Sequence, residues 1–208
     1  MQLQPIEKKP NLVISAPAGT RSGYGEHSRS LALALIKSNK YNVHILPTPW
    51  GHCPNDALDA NNPDHKLIID RLINQLTFQP DIFFQVTIPN EFQRLGRINI
   101  GCTAGVETTV CRPEWVSGCN RMDLVIATSE HSKRVFEDIM FDIKPEKDKP
   151  GGQLHLMKPT RVLFEGLDTT IYKKTSEIPS GVKEVLDDIK EDFAFLFCGS
   201  WLSGGLGS

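Results

Sequence analysis

The sequence has no surplus of charge of either sign: 23 Lys and Arg stand against 25 Asp and Glu in 208 residues, a net charge of −2. Without a basic excess it lacks the electrostatic footprint of a nucleic-acid binder, and it has no polybasic tail for a membrane surface. No run approaches the ~20 apolar residues that a spanning helix needs, and the opening MQLQPIEKKP has no apolar core of a secretion signal. A cytoplasmic location is therefore expected. The five cysteines, Cys53, Cys102, Cys111, Cys119 and Cys198, are odd in number and include no C-x-x-C pair. That argues against a disulfide framework and against a structural zinc site, and leaves them as buried or incidental thiols. The six histidines show neither H-x-x-x-H nor HExxH spacing, so no metal site is expected.

What is present is a repeated alternation of short apolar runs and helical periods. NLVISA (11–16), YNVHIL (41–46), DIFFQV (81–86), RINIGC (97–102), DLVIAT (123–128), TRVLFE (160–165) and FAFLFC (193–198) mostly lack polar alternation. Such runs read as strands covered on both faces, hence an α/β, three-layer, Rossmann-like domain with a mostly parallel sheet. Between them, Leu31 with Leu35 and Ala32 with Ile36 mark a first helix, Leu67 with Arg71 and Ile68 with Leu72 a second. Val135 with Ile139 and Phe136 with Met140 mark a later one, with Ser129 as its N-cap, and Pro113 suits the first turn of a helix over PEWVSGCNRM. The Lys-, Pro- and Gly-rich stretch 143–158 reads as an exposed excursion or hairpin, and 176–192 as a linker followed by a short amphipathic helix.

The stretch ISAPAGTRSGYGEHSRSLALAL (14–35) is a strand, a glycine turn and a helix in direct succession. A helix start leaves backbone N–H groups free and carries about half a positive charge, which suits an anion. Gly23 and Gly25 provide G-x-G, but Ser28 stands where the dinucleotide fingerprint has its third glycine, and Leu46-Pro47 end the second strand where an acidic residue belongs. A nicotinamide enzyme is disfavoured on both counts.

SGYGEHSRSLALAL, GVETTVCRPEWVSGCNRMDLVIATSEHSKRVFE (105–137), VLFEGLDTTIY (162–172) and FAFLFCGSWL (193–202), in this order, resemble the GT-B glycosyltransferases, within them the retaining group 1 or GT4-like families. The matching elements are the glycine turn after the first strand, Trp115 ahead of DLVIATS, and EGLDTTIY before the crossover to a second domain. The resemblance implies that residues 1–190 form the amino-terminal, acceptor-side domain. It also implies that 191–208 begin a nucleotide-sugar-binding domain that is cut short, leaving the donor-binding acidic motif outside the chain. The expected reaction transfers a sugar from a nucleoside-diphosphate sugar to an acceptor hydroxyl, with retention, and requires that second domain. Its partners are this donor, used as substrate with no separate cofactor, and a carbohydrate or other hydroxyl acceptor.

On this reading Gly23 and Gly25 let the backbone approach a diphosphate, and Tyr24 and His27 reach ligand from the same loop. Glu107, just past a strand end, is the candidate catalytic carboxylate, acting on the acceptor hydroxyl or on the developing positive sugar centre. Trp50 and His52 in PTPWGH, and Thr87 and Asn90 in QVTIPNEF, follow strands at the edge where open sheets collect ligands. Trp115 reads as core and Ser129 as a cap. No carboxylate pair of the kind used by sugar hydrolases is identified by spacing. The alternative reading is a non-catalytic carbohydrate- or nucleotide-binding module of the same fold.

Overall fold

The structure is a computed structural model that describes residues 9–145 and 150–196. The chain divides into two compact units, Met1–Gly166 and Leu167–Ser208. In the first unit six strands form one parallel sheet: β1 (Asn11–Ala16), β2 (Asn42–Pro47), β3 (Ile82–Val86), β4 (Ile98–Thr103), β5 (Leu124–Ala127) and β8 (Thr160–Val162). Their order is β2-β1-β3-β4-β5-β8, every neighbouring pair parallel. Helices α1 (Gly23–Lys37), α2 (Pro63–Ile69), α3 (Pro113–Asn120) and α4 (Glu130–Asp138) connect them.

Why these runs become strands is visible in their burial. β1 and β3 are covered on both faces, which is why NLVIS and FFQV carry almost no polar alternation. Leu12, Ile14 and Ala16 point to the face where α1 and α2 pack, with Val43, Ile45, Ile68, Phe84, Val86 and Cys102. On the other face Val125 meets Phe92, Val116, Cys119, Met122, Val135 and Phe136, from α3, α4 and the segment after β3. The result is a Rossmann-like three-layer fold. At the edge, β2 alternates instead, burying Val43 and Ile45 while His44 and Leu46 stay partly exposed.

The chain departs from the expected elements in three places. Helical periodicity continues through Arg71 and Leu72, yet α2 stops at Ile69 because Leu72 pairs with Ile45 alongside the edge strand. Periodicity likewise runs through Ile139 and Met140, but α4 ends at Asp138. Ile139 is extended, and β6 (Met140–Ile143) pairs antiparallel with β7 (Gly152–His155) as the hairpin expected in 143–158. The expected strand over 193–198 is not formed at 193–196, and its last two residues lie outside the described residues, as do Gly199–Ser208. In the second unit α5 (Ser180–Asp187) is the short helix expected within 176–192. No helix among the described residues is long and apolar enough to cross a membrane.

In this strand order the chain leaves β1 toward β2 on one side and returns to β3 on the other. The crevice between the carboxyl ends of β1 and β3 is therefore the switch point at which open α/β sheets bind ligands.

Candidate functional site

The turn from β1 into α1 lies at that switch point and is rigidly built. Ser22 is the N-cap, its hydroxyl accepting the Gly25 N–H at 3.0 Å. The Thr20 hydroxyl donates to the Pro17 carbonyl at 2.9 Å and lies 2.8 Å from that of Ser22. From the second turn of α1 the buried Arg29 reaches back, donating from Nη1 to the carbonyls of Ala18 and Thr20, 2.9 Å each, and from Nη2 to Glu26 at 2.6 Å. The backbone N–H groups of Gly23 and Tyr24 accordingly have no acceptor among the described residues. They are the free donors that an anion would take.

The two glycines of the turn differ. A side chain at Gly23 would enter open space, whereas a Cβ at Gly25 would stand 2.2 Å from the Thr20 carbonyl oxygen and 2.7 Å from its hydroxyl. Gly25 is thus required for the helix to pack on its own entry loop, and its bare face meets protein.

Tyr24 is the hub of the edge. Its ring stacks on Trp50, centroids 4.0 Å apart. Its oxygen accepts the Ala104 N–H at 3.0 Å and lies 3.1 Å from the Thr103 hydroxyl. Burial raises its pKa above the ordinary tyrosine value, against those two hydrogen bonds.

His27, one turn further, is enclosed: Nε2 is 3.6 Å from the Cys102 sulfur, and Nδ1 is 3.8 Å from the Glu165 carboxylate. Burial lowers its pKa, with Glu165 pulling the other way. Burial also pushes the Cys102 thiol up to about 12, so this cysteine is a packing group and not a nucleophile.

The remaining candidates stand apart. Thr87 is buried, donating its hydroxyl to the Glu91 carboxylate and its N–H to the Cys102 carbonyl, so its polar groups hold the segment after β3. Asn90 is exposed, and its carbonyl accepts from Arg121 at 2.7 Å. His52 and Glu107 are exposed and have no side-chain partner among the described residues. The structure therefore gathers Gly23, Tyr24, Gly25, His27 and Trp50 around the start of α1, and spreads His52, Thr87, Asn90 and Glu107 over neighbouring loops of the same edge.

Sequence reasoning missed Arg29, which holds the loop carbonyls of Ala18 and Thr20; Glu91, which accepts from Thr87; and Glu165, which faces His27. It also took Trp115 as core alone. Trp115 packs over Phe136, centroids 6.4 Å apart, yet it is only half-buried and lines a cavity of about 380 Å³ with Ile88, Asn90, Arg112 and Glu114. No cluster of three metal-ligating side chains occurs among the described residues. Comparison with protein-family models and with curated proteins gives no match to this chain.

Proposed function

We propose that this chain is the acceptor-side half of a GT-B glycosyltransferase, moving a sugar from a nucleoside-diphosphate sugar to an acceptor hydroxyl with retention. The observation that carries the reading is the pair of free N–H groups at Gly23 and Tyr24, at the start of a 15-residue helix and at the switch point of a parallel sheet. The helix dipole there favours a diphosphate, and the stacked Tyr24 and Trp50 beside it offer an aromatic surface. Arg29 and Ser22 fix the turn in advance, so binding an anion costs little reorganisation.

Holding donor and acceptor in one cleft supplies much of the rate of a group transfer. The half that binds the acceptor is accordingly inactive, or nearly so, without a donor-binding partner domain. Glu107, on the exposed loop after β4, is the carboxylate available to the acceptor hydroxyl. No neighbouring described group fixes its side chain, which favours as a second reading a carbohydrate- or nucleotide-binding module without catalysis.

The test is release of nucleoside diphosphate from UDP-, GDP- and ADP-sugars by the full product of the gene. Turnover with one donor, reduced in Glu107→Gln, supports the transferase. Binding of a nucleotide or sugar without turnover of any donor selects the module.

A further inference from the structure

The cavity beside Trp115 is separate from the turn that would take the donor phosphates, and its chemistry is different. It is bounded by the segment after β3, through Ile88 and Asn90, and by the first turn of α3, through Arg112, Glu114 and Trp115. At about 380 Å³ it falls at the lower end of the roughly 300–1,000 Å³ of small-molecule sites. Part of its lining is aromatic and anchored: Trp115 packs against Phe136 and the apolar core of that face. Its rim is polar and unspent. Among the described residues the side chains of Asn90, Arg112 and Glu114 make no hydrogen bond or ion pair. Arg112 and Glu114, two residues apart and both on the cavity, do not pair with each other.

Each rim group has a different hydrogen-bonding character. The Arg112 guanidinium only donates, the Glu114 carboxylate only accepts, and the Asn90 amide does both. A row of vicinal hydroxyls, each a donor and an acceptor, matches that set. A phosphate or carboxylate would satisfy Arg112 but face the Glu114 charge, and a cation would face Arg112. One cation and one anion on the rim together favour a neutral ligand. The indole of Trp115 in the lining is of the kind that packs on the apolar C–H face of a sugar ring.

We infer that the cavity formed by Asn90, Arg112, Glu114 and Trp115 binds a neutral pyranoside, stacked on Trp115 with its hydroxyls shared among the three polar side chains. On the transferase reading this ligand is the acceptor, which makes the acceptor a neutral glycoside and not an anionic or lipid-like one.

The experiment is saturation-transfer NMR and calorimetric titration of the 208-residue chain with methyl α-glucopyranoside, methyl α-mannopyranoside and methyl β-galactopyranoside, and separately with UDP, GDP and ADP. At least one glycoside is expected to bind, and Asn90→Ala, Arg112→Ala and Glu114→Ala each to weaken it about fivefold or more, a loss well beyond what the small change in thermal midpoint from the first-turn charge of Glu114 accounts for. Because Trp115 also packs in the core, Trp115→Phe is the conservative probe of the platform, with a loss expected in the same range. Failure of all three glycosides to bind, or binding indifferent to the three rim variants, overturns the inference. Nucleotide binding without glycoside binding sinks this site alone and leaves the transferase reading standing. Glycoside binding at the cavity without any nucleotide binding keeps this site and removes the start of α1 as a diphosphate site.

Discussion

Tyr24 and Trp50 lie face to face, ring centroids 4.0 Å apart and planes 24° from parallel, while the phenol oxygen is held from the far side by Ala104 and Thr103. One side chain thereby ties together the segments that follow β1, β2 and β4. Tyr24→Phe keeps the stack but leaves the Ala104 N–H and the Thr103 hydroxyl short of a partner, an expected loss of about 1–2 kcal/mol. Trp50→Ala removes the stack and keeps the hydrogen bonds, an expected loss of about 0.5–1.5 kcal/mol beyond its area burial. Urea denaturation of the two single variants and the double variant checks both. Because they act through the same ring, their effects should not add.

Gly23 and Gly25 should respond in opposite ways to the same methyl group. Gly25→Ala places a Cβ 2.2 Å from the Thr20 carbonyl oxygen, so either the loop 17–20 or the first turn of α1 must move. An expected loss of about 3 kcal/mol or more follows from overpacking of backbone against backbone. Gly23→Ala meets nothing within 4 Å and should leave stability within about 0.5 kcal/mol. Thermal melts separate the two. Only Gly23→Ala is then usable to ask whether a larger residue at the free N–H groups weakens nucleotide binding.

The His27 enclosure predicts a loss of stability in mild acid. Its folded pKa is lowered from the ordinary 6.5, chiefly by burial, with Glu165 opposing. Below about 6.5 the unfolded chain therefore takes up a proton that the folded chain resists, and stability falls as pH drops from that value through the folded pKa. In His27→Gln that part of the slope should vanish. In Glu165→Gln the opposing charge is gone, the folded pKa falls further, and the loss should continue to lower pH. Urea midpoints between pH 7.5 and 5 distinguish the three proteins. Equal slopes in all of them would show that His27 does not titrate as its surroundings imply.

Thiol labelling should follow burial. Cys102 and Cys119 are buried, and burial pushes both thiols up to about 12, so at pH 8 almost no thiolate is present at either. Cys53, on the loop after β2, is only partly covered. Iodoacetamide followed by peptide mapping should modify Cys53 in the native protein and reach Cys102 and Cys119 only in denaturant. Rapid native alkylation of Cys102 would mean that the contact between α1 and β4 opens readily.

Much of this architecture was legible because its signals are local. NLVIS and FFQV are apolar on both faces since β1 and β3 sit mid-sheet, and Pro113, Ser129 and the G-x-G turn mark helix starts through their own backbone chemistry. What the sequence hid depends on partners far along the chain. Periodicity carries straight through Ile139, but competition from β7 ends α4 before it. Gly25 reads as a phosphate glycine until Thr20 is seen against it. Trp115 satisfies a core pattern and lines a cavity at once, since a large ring that is only half-buried can do both. Glu165 opens the EGLDTTIY motif, yet nothing in that motif signals that its carboxylate lies 3.8 Å from His27 on α1.

Arg29 offers the sharpest separation of folding from binding. It is 8% exposed, and its two donations to the carbonyls of Ala18 and Thr20 hold the loop that aims the Gly23 and Tyr24 N–H groups. Arg29→Met keeps most of the side-chain stem but strands both carbonyls, an expected loss of about 2–4 kcal/mol. Glu26, its other partner, is largely exposed, so Glu26→Gln should cost under about 1 kcal/mol through the lost surface pair and first-turn charge. For an anion at the start of α1 the two residues part company. Glu26→Gln removes a negative charge from the same helical turn and should tighten UDP or GDP binding, whereas Arg29→Lys, which cannot span both carbonyls in one plane, should weaken it. Calorimetric titration at 50 mM and 300 mM salt checks both, since the Glu26 effect should shrink with screening and the Arg29 effect, being geometric, should persist. Nucleotide affinity unchanged in both variants would move the anion away from this helix start altogether.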